Sequence, residues 1–525
     1  MLARVKSGAL RGVDAYLVEV EVDLSPGESK IFYVGLPEVA VRESKDRVRA
    51  ALRNSGYRFP RGRITINLAP ADVRKEGTGF DLPVAVGLLA AQRVVPSESL
   101  GNYLIFGELS LDGSLKPTRG VLSMALATRE AKLALILPRE NAREAGVVQG
   151  IDVYPADNLV QVVEFLAGRE VLTPAPPPEP EVQAWDPAED LDFKEVKGQE
   201  PVKRALLIAA AGAHNVLMVG PPGAGKTMLA RRLPSILPPL GFEEALETSK
   251  VYSIMGLLPR DKALVTTRPF RSPHHTISDA GLIGGCTTPR PGEVSLAHYG
   301  VLFLDELPEF KRSTLEVLRQ PLEEGRVTIS RAATSLTYPA RFMLVAAMNP
   351  CPCGYFGDSR RTCACTPKQI NQYRSRISGP LLDRIDLQIQ VPAVRFQELA
   401  APAGGSGSPE LRQRVERAKE VQARRFLKSR IFANAHMTSR LVKQYCPLGP
   451  EAQRLLEAAM ERLGLSARAF HRILKIARTI ADLEGEAHPA PAHVAEAIQY
   501  RTLDRQFGSD RGVMFVKEAL QKYFA

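Results

Sequence analysis

The sequence predicts an α/β protein with a mixed α+β domain at the N-terminus, a central α/β domain with a parallel sheet, and a helical domain at the C-terminus. Three observations support this division. The 525 residues exceed what one hydrophobic core usually holds. A proline-rich segment, 171–190, and a Gly- and Ser-rich segment, 400–409, interrupt the apolar pattern. Near-continuous apolar runs lie between these two segments, and helical periodicity prevails after them.

The N-terminal domain mixes strand and helix signals. Residues 16–24 (YLVEVEVDL) and 64–70 (ITINLAP) alternate apolar and polar side chains, which predicts half-buried strands. Residues 39–55 have helical spacing and are followed by Gly56, a residue typical of a helix end. The densest apolar stretch, 82–91, is too short to cross a bilayer and predicts a buried helix.

The composition is that of an ordinary soluble globular protein, with 45% hydrophobic and 24% charged residues. The chain has no run of 18 apolar residues, and its first residues lack the apolar core of a signal peptide. We therefore expect a cytoplasmic protein without a membrane partner. The net charge of +11 permits a polyanionic partner but, over this length, does not require one.

A phosphate-binding loop lies at the start of the central domain. Residues 220–227 read GPPGAGKT and match the pattern G-x-x-x-x-G-K-[ST], between a predicted strand (216–219) and a predicted helix. Glycines let backbone N–H groups converge on phosphate oxygens at the helix N-terminus. The lysine of this motif contacts the β- and γ-phosphates, and its threonine binds Mg²⁺. The residues predicted to bind ATP are Gly220, Pro221, Pro222, Gly223, Ala224, Gly225, Lys226, Thr227 and Met228.

The second half of the site is predicted at residues 301–306 (VLFLDE). Four apolar residues form a buried strand whose end carries two acids. We expect Asp305 to bind Mg²⁺ together with Thr227, and Glu306 to accept a proton from the attacking water as a general base. These two motifs predict ATP hydrolysis with Mg²⁺ as the metal.

Beyond these motifs the chain resembles the AAA+ superfamily. Residues 191–200 resemble the segment that packs on adenine. The resemblance implies that Asn349, after the apolar run 343–348, is the sensor 1 residue that orients the lytic water. It also implies that Arg384 is an arginine finger and Arg468 is the sensor 2 arginine. Because an arginine finger acts on ATP held by a neighbouring subunit, the resemblance implies a ring with ATP sites between subunits.

The resemblance narrows to the magnesium-chelatase-like branch at residues 269–278 (PFRSPHHTIS), 291–310 and 323–354. Within that branch the whole chain resembles the ComM/YifB family, which joins a Lon-like N-terminal domain to the motor. This implies a homo-hexameric DNA motor for branch migration in homologous recombination during natural transformation. Such a motor would bind branched or single-stranded DNA without sequence preference. The implied domains are 1–170 (Lon-like), 171–190 (linker), 191–399 (AAA+ core) and 410–525 (helical lid).

The N-terminal domain resembles the Lon peptidase fold, a ribosomal S5-like α+β fold, at residues 107–113 and 134–141. That fold's peptidase activity needs a serine beside a lysine of low pKa. The position of the serine reads Gly79 and that of the lysine reads Leu122. We therefore expect a module without peptidase activity, and a protease is the less favoured alternative. Three other residues could offer a hydroxyl or an amine nearby, but they do not fall at the family's serine and lysine positions: Thr78, Lys75 and Lys116.

Four cysteines form the pattern C-x-C-x₉-C-x-C within residues 351–365 of the core. Four thiolates suit a closed structural Zn²⁺ site, and residues two apart in an extended segment point to the same side. Free thiols or a redox pair remain alternatives, since C-x-C is a less diagnostic spacing than C-x-x-C. The predicted zinc ligands are Cys351, Cys353, Cys363 and Cys365, whereas Cys286 and Cys446 stand alone.

Candidate DNA contacts lie at two places in the core. Residues 325–342 predict a β-hairpin with Arg331 near its tip, and Arg271, His274 and His275 could lie on another insert that faces a pore. Two other functions remain open. One is a chelatase-type ATPase that remodels a protein partner. The other is a binding module that uses ATP as a switch, which the pair Asp305–Glu306 disfavours.

Overall fold

The computed structural model describes residues 1–178, 191–259, 262–285, 289–331, 334–358, 360–394, 397, 405–427, 429, 431–501 and 503. These residues form two compact units. The first unit contains the described residues within Met1–Ala184, Gly241–Thr266 and Thr328–Tyr338. The second unit contains the described residues within Trp185–Leu240, Thr267–Val327 and Pro339–Ala525. The predicted α/β fold class is confirmed.

A mixed sheet of seven strands forms the centre of the first unit. Its strands are β1 Leu2–Arg11, β2 Asp14–Ser25, β3 Ile31–Val34, β4 Arg63–Ala69, β5 Tyr103–Ile105, β8 Ala134–Pro138 and β9 Val153–Ala156. A separate small hairpin pairs β6 Glu108–Leu109 with β7 Leu115–Lys116. The strand order is β3-β4-β2-β1-β5-β8-β9. Only the pairs β1–β2 and β2–β4 are antiparallel.

Helices cover this sheet and complete the first core. Helix α1, Val39–Asn54, is amphipathic as predicted, because Val41, Val48 and Leu52 are buried on one face. Helix Asp81–Ala91 is buried along its whole length, which confirms the predicted core helix. Among the described residues, no helix is long and apolar enough to cross a membrane. The other helices of residues 1–178 are Val121–Glu130, Ala142–Ala145 and Leu159–Leu166.

The second unit contains a parallel sheet of five strands, as the apolar runs predict. Its strands are β10 Val216–Val219, β11 Phe270–Arg271, β14 Val301–Leu304, β17 Met343–Met348 and β18 Leu387–Gln390. The order is β11-β14-β17-β10-β18, and every pair is parallel. Because the carboxyl ends of parallel strands meet at one edge, residues after β10, β14 and β17 come together.

Helices pack on both the sheet and one another in the second unit. Residues from the sheet, such as Val216 and Val345, share one hydrophobic cluster with Leu456 and Ile476 of the C-terminal helices. The predicted C-terminal helices are Ser408–Phe426, Pro450–Leu463, Ala467–Glu484 and Pro491–Gln499, and Ser439–Tyr445 is an additional one. The other helices are Glu200–Gly212, Lys226–Ile236, Asp279–Ile283, Glu293–Leu296, Arg312–Glu316, Arg319–Glu324, Pro367–Arg374 and Gly379–Leu382.

Two segments inside the predicted core, 191–399, belong to the first unit instead. Helix Phe242–Met255 packs through Leu246 against the cluster that contains Val121 and Met124. The Ser253 carbonyl accepts a hydrogen bond from the Gly120 N–H at 3.2 Å. The second segment is the predicted hairpin, β15 Arg326–Arg331 and β16 Thr334–Pro339, of which Thr328–Tyr338 joins the first unit. The Arg331 side chain lies outside the described residues.

The predicted linker, 171–190, also differs from expectation in its first part. Leu172 is buried in the core of the first unit, and the Ala175 N–H donates a 2.8 Å hydrogen bond to the Val153 carbonyl. This part of the segment therefore packs rather than extends freely.

Residues 179–190, residues 400–404 and Cys286 lie outside the described residues, as do all residues after 503. The two β-strands β12 Gly284–Gly285 and β13 Arg290–Pro291 form a separate short pair.

Candidate nucleotide and metal sites

The phosphate loop connects β10 to helix Lys226–Ile236, as its motif predicts. Gly223 and Gly225 have φ angles of 75° and 85°, which residues other than glycine rarely adopt. A Cβ at Gly220 would lie 2.2 Å from the Val391 carbonyl oxygen, so only glycine fits there. The Gln199 amide donates 2.9 Å and 2.7 Å hydrogen bonds to the carbonyls of Ala224 and Pro392, which fixes the loop from behind.

The Lys226 ammonium is buried at the centre of this loop. It donates hydrogen bonds to the Gly220 carbonyl at 2.7 Å, the Pro221 carbonyl at 2.9 Å and Asn349 Oδ1 at 3.1 Å. Burial lowers the pKa of Lys226, whereas the carboxylates of Asp305 and Glu306 act in the opposite direction. Neutral carbonyls are poorer partners for an ammonium than phosphate oxygens are. The loop therefore holds a cation that a bound phosphate would satisfy better.

The predicted magnesium ligands are in contact. Thr227 Oγ1 donates a 2.6 Å hydrogen bond to Asp305 Oδ2, although the two residues are 78 positions apart in the chain. Asp305 Oδ1 accepts a 2.9 Å hydrogen bond from the Glu306 N–H. A hydroxyl and a carboxylate are oxygen donors, which Mg²⁺ prefers. The donor set therefore fits Mg²⁺ bound together with the phosphates of a nucleotide.

Glu306 follows β14 in a left-handed conformation, with φ of 52°. This conformation is uncommon for residues other than glycine and is often found at functional sites. The Glu306 side chain is 59% exposed, so its carboxylate can reach solvent. His275 Nδ1 lies 3.6 Å from Glu306 Oε2. The His275 ring also lies against His274, with centroids 4.1 Å apart.

His275 lies beside Glu306, a position that differs from the predicted one. We predicted Arg271, His274 and His275 on an insert for DNA contact. The structure places Arg271 in β11, where its guanidinium donates 2.6 Å and 2.8 Å hydrogen bonds to Glu293. Arg271 therefore lies in the edge strand of the sheet and not on an insert. No local pattern in the sequence indicates that His275 lies beside Glu306.

Arg384, the predicted arginine finger, is buried and bonded to groups of its own chain. Its guanidinium forms an ion pair with Glu323 and donates a 2.6 Å hydrogen bond to the Pro380 carbonyl. Burial lowers its pKa, and Glu323 raises it. Within the described residues, no hydrogen bond or ion pair joins Arg384 to residues 220–227 of the same chain. The structure therefore does not bring Arg384 to its own phosphate loop.

Arg468, the predicted sensor 2 residue, lies in the first turn of helix Ala467–Glu484 and is 63% exposed. Its nearest acidic partner is Asp383, at 3.9 Å. Arg472 of the same helix forms an ion pair with Asp386, three residues after Asp383. Burial opposes ionisation of Asp386, but Arg472 and His214 lower its pKa below the usual range. This buried pair ties the segment that carries Arg384 to the helix that carries Arg468.

The four predicted zinc ligands cluster. Cys351 Sγ lies 3.3 Å from Cys353 Sγ and 3.7 Å from Cys363 Sγ, and the latter two are 3.6 Å apart. All four sulfur atoms, including that of Cys365, lie within 4.8 Å of one another. Tetrahedral Zn²⁺ with Zn–S bonds of about 2.3 Å separates its sulfur ligands by roughly 3.8 Å. The cluster therefore fits Zn²⁺.

The cysteine loop lies against the phosphate loop. Gly354 has a φ of 88°, and a Cβ there would lie 2.5 Å from Pro222 Cδ. The Tyr355 backbone hydrogen bond lowers the pKa of the Cys353 thiol, whereas hydrogen bonds and charge from the neighbouring thiols raise the pKa values of Cys363 and Cys365. A metal at this cluster would hold a loop that touches Pro222 and begins directly after Asn349.

Gly79 and Leu122 occupy the two positions of the Lon-type dyad in the N-terminal domain. A Cβ at Gly79 would lie 2.1 Å from the Phe106 ring, so no serine fits without rearrangement. Leu122 is fully buried and donates its backbone N–H to Glu144 at 2.9 Å. Lys75 is buried and bonds the Pro70 carbonyl. The Thr78 hydroxyl donates a hydrogen bond to the Glu108 carboxylate, and Lys116 is exposed on the surface.

Comparison with family models gives three matches along the chain. Residues 192–399 match the model described as "Magnesium chelatase, subunit ChlI". Residues 20–141 match "Subunit ChlI of Mg-chelatase", and residues 405–501 match "Magnesium chelatase, subunit ChlI C-terminal".

Among known proteins, the chain is 46% identical to "Competence protein ComM" of Haemophilus influenzae, over 96% of this chain and 98% of that protein. It is 44% identical to YifB of Escherichia coli, over 96% of this chain and 98% of YifB. It is 32% identical to "Lon protease 2" of Bacillus subtilis, over 27% of this chain and 26% of that protein. The similarity to ComM and YifB therefore extends over almost the whole chain.

Proposed function

The chain belongs to the ComM/YifB family of magnesium-chelatase-like AAA+ ATPases, and on that premise we propose that it is a hexameric motor that moves DNA strands. Branch migration during recombination of incoming DNA is the activity we assign to it, and the cytoplasm is its proposed location. The observation that carries the ATPase part is the contact between Thr227 and Asp305, with Glu306 adjacent. The DNA part draws on family membership and on the net charge of +11.

The chemistry follows from the groups at the edge of the parallel sheet. Mg²⁺, when bound with ATP, neutralises charge on the phosphates. Thr227 and Asp305 would hold it, and the Lys226 ammonium would exchange carbonyl partners for phosphate oxygens. The exposed Glu306 carboxylate would accept a proton from the attacking water. Asn349, already bonded to Lys226, would position that water or the γ-phosphate.

Assembly into a ring would complete the site. Arg384 is paired with Glu323 of its own chain and makes no contact with its own phosphate loop among the described residues. A guanidinium can exchange a carboxylate for a phosphate, since it binds both in the same bidentate geometry. We propose that the neighbouring subunit's nucleotide takes the place of Glu323. Arg468 would reach the nucleotide from the helical region, where its exposed side chain has freedom to move.

A protein-remodelling ATPase is the second candidate function. The chain is 29% identical to "Magnesium-chelatase 38 kDa subunit" of Rhodobacter capsulatus, over 39% of this chain and 60% of that protein. This similarity is lower and covers less of the chain than the similarity to ComM. We therefore favour the DNA motor.

The test is whether DNA stimulates ATP hydrolysis by the purified protein. We expect junction DNAs of unrelated sequence to raise the rate, because contacts to phosphates carry no sequence information. The stimulation should weaken steeply with salt, because neutralising phosphates releases counterions. A rate that no DNA changes at low salt would contradict the motor and favour the protein-remodelling candidate.

Zinc is the metal we propose for the four-cysteine cluster, with a structural role. Elemental analysis of protein purified without chelators should find about one zinc per chain, because four thiolates close the coordination shell. Cys353→Ser should lower the zinc content, whereas Cys446→Ala, a change at a buried lone cysteine, should not. Wild-type protein free of zinc would leave the four residues as free thiols.

A further inference from the structure

The N-terminal unit carries an unusual concentration of arginine. Residues 47–71 contain six arginines and no aspartate or glutamate. This one stretch therefore contributes +6 to a chain whose net charge is +11. The concentration is much denser than a solvated surface of mixed sign requires.

Among the described residues, one of these arginines forms an ion pair. Arg47 donates hydrogen bonds of 2.7 Å and 3.0 Å to the buried carboxylate of Asp81. The other five are exposed, and none has an ion pair within the described residues. We call these five the arginine patch: Arg49, Arg53, Arg58, Arg61 and Arg63.

The arginine patch occupies one continuous part of the chain. Arg49 and Arg53 are four residues apart on α1 and therefore lie on the same face, one turn apart. Arg58 and Arg61 lie in the connection between α1 and β4, and Arg63 is the first residue of β4.

Aromatic rings support two of the guanidinium groups. The Arg49 guanidinium lies over the Phe59 ring at 4.9 Å, and the Arg63 guanidinium lies over the Phe32 ring at 4.8 Å. Stacking of this kind leaves the N–H groups at the guanidinium edge available for an anion. The ordering cost of binding a phosphate is correspondingly lower than for a freely mobile side chain.

Within the described part of the chain, no acid forms an ion pair with a member of the arginine patch. Tyr57, within the same stretch, hydrogen bonds Glu164, but Glu164 is already paired with Arg169. Asp46 precedes the patch on α1 and is the acid closest to it in sequence. Like charges one helical turn apart, such as those of Arg49 and Arg53, destabilise a helix. A row of phosphates would relieve this repulsion.

We propose that the arginine patch binds the phosphate backbone of nucleic acid, which makes the N-terminal unit a DNA-holding module. This inference rests on the proposed DNA motor and assigns part of its DNA contact. Arginine is the residue best suited to bidentate contacts with phosphate. An anionic membrane is less suitable as a partner, because α1 buries its apolar face in the core and has no such face for lipid.

The test uses the full-length protein with the triple change Arg53→Glu, Arg58→Glu and Arg61→Glu. These three side chains have no partner among the described residues, so the fold and the basal ATPase rate should be unchanged. Affinity for a fluorescent four-way junction at low salt should fall by at least about tenfold. The slope of log affinity against log salt should decrease by about 2 to 3, because each lost phosphate contact contributes about 0.9.

A matched control makes the same charge change elsewhere on the same unit. The control residues are Lys116, Arg129 and Lys132, each exposed and without an ion pair in the described part of the chain, and each changed to Glu. Junction affinity and the salt slope of the control should stay close to those of the wild type, apart from a small general effect of net charge.

The outcomes separate the patch from the motor. Wild-type protein that binds no DNA would overturn both. Wild-type protein that binds, with a triple variant of equal affinity and slope, would overturn the patch alone. Equal losses in the triple variant and the control would also overturn it, because charge rather than position would then explain them. If the triple variant keeps the DNA affinity of the wild type but loses the wild type's binding to phosphatidylserine-rich vesicles, the patch is a membrane contact instead.

Discussion

Glu306→Gln should bind ATP with near-normal affinity and lose turnover by at least about 10²-fold. The amide cannot accept the proton of the attacking water, whereas Lys226, Thr227 and Asp305 remain in place to bind Mg-ATP. Glu306 is exposed, so the substitution strands no buried charge and should not unfold the protein. The measurement combines nucleotide binding by fluorescence with steady-state release of phosphate.

Glu309→Gln is the matched control for this experiment. Glu309 lies three residues away and is paired with Arg376 at the surface, 2.9 Å from it. Removing its charge should change turnover little, because surface ion pairs contribute at most about 1 kcal/mol. Near-normal turnover in Glu306→Gln, or equal losses in both variants, would contradict the assignment of Glu306 as the base.

Arg384→Ala should retain nucleotide binding and lose hydrolysis on the order of 10³-fold, the contribution typical of an arginine finger. Its partner Glu323 is 54% exposed, so the carboxylate left behind stays solvated and the fold should survive. Wild-type activity per chain should rise steeply with protein concentration, because the site is complete only between subunits. Arg376→Ala, which removes a surface arginine of the same region, should leave the rate unchanged.

Mixing two inactive variants tests whether Arg384 acts on a neighbouring subunit. Lys226→Ala removes the phosphate ligand, and Arg384→Ala removes the finger. A mixed interface can combine an intact loop with an intact finger, so a mixture should recover part of the activity. No recovery in rings shown to contain both variants would contradict action between subunits.

The sheet and the phosphate site were predictable because each has a local signature. The runs VLMV, VLFL and MLVAAM are apolar without alternation, as strands covered on both faces require. Once those strands are parallel and adjacent, their carboxyl ends meet. The contacts of Thr227 with Asp305 and of Lys226 with Asn349 follow from that geometry.

Tertiary partners were not predictable from local patterns. The pairing of Arg384 with Glu323 joins residues 61 positions apart, and no spacing in the sequence indicates it. The approach of His275 to Glu306 depends on how the chain leaves the two-residue strand β11. Helix Phe242–Met255 joins the N-terminal unit because Leu246 finds its apolar partners there, far away in sequence.

The most direct test of the DNA motor follows a labelled strand in a four-way junction in the presence of the protein, Mg²⁺ and ATP. We predict that the wild-type protein displaces the strand, and that Glu306→Gln binds the junction but leaves the strand in place. Wild-type protein that hydrolyses ATP yet never displaces the strand, from junctions of any arm sequence, would contradict the proposed function.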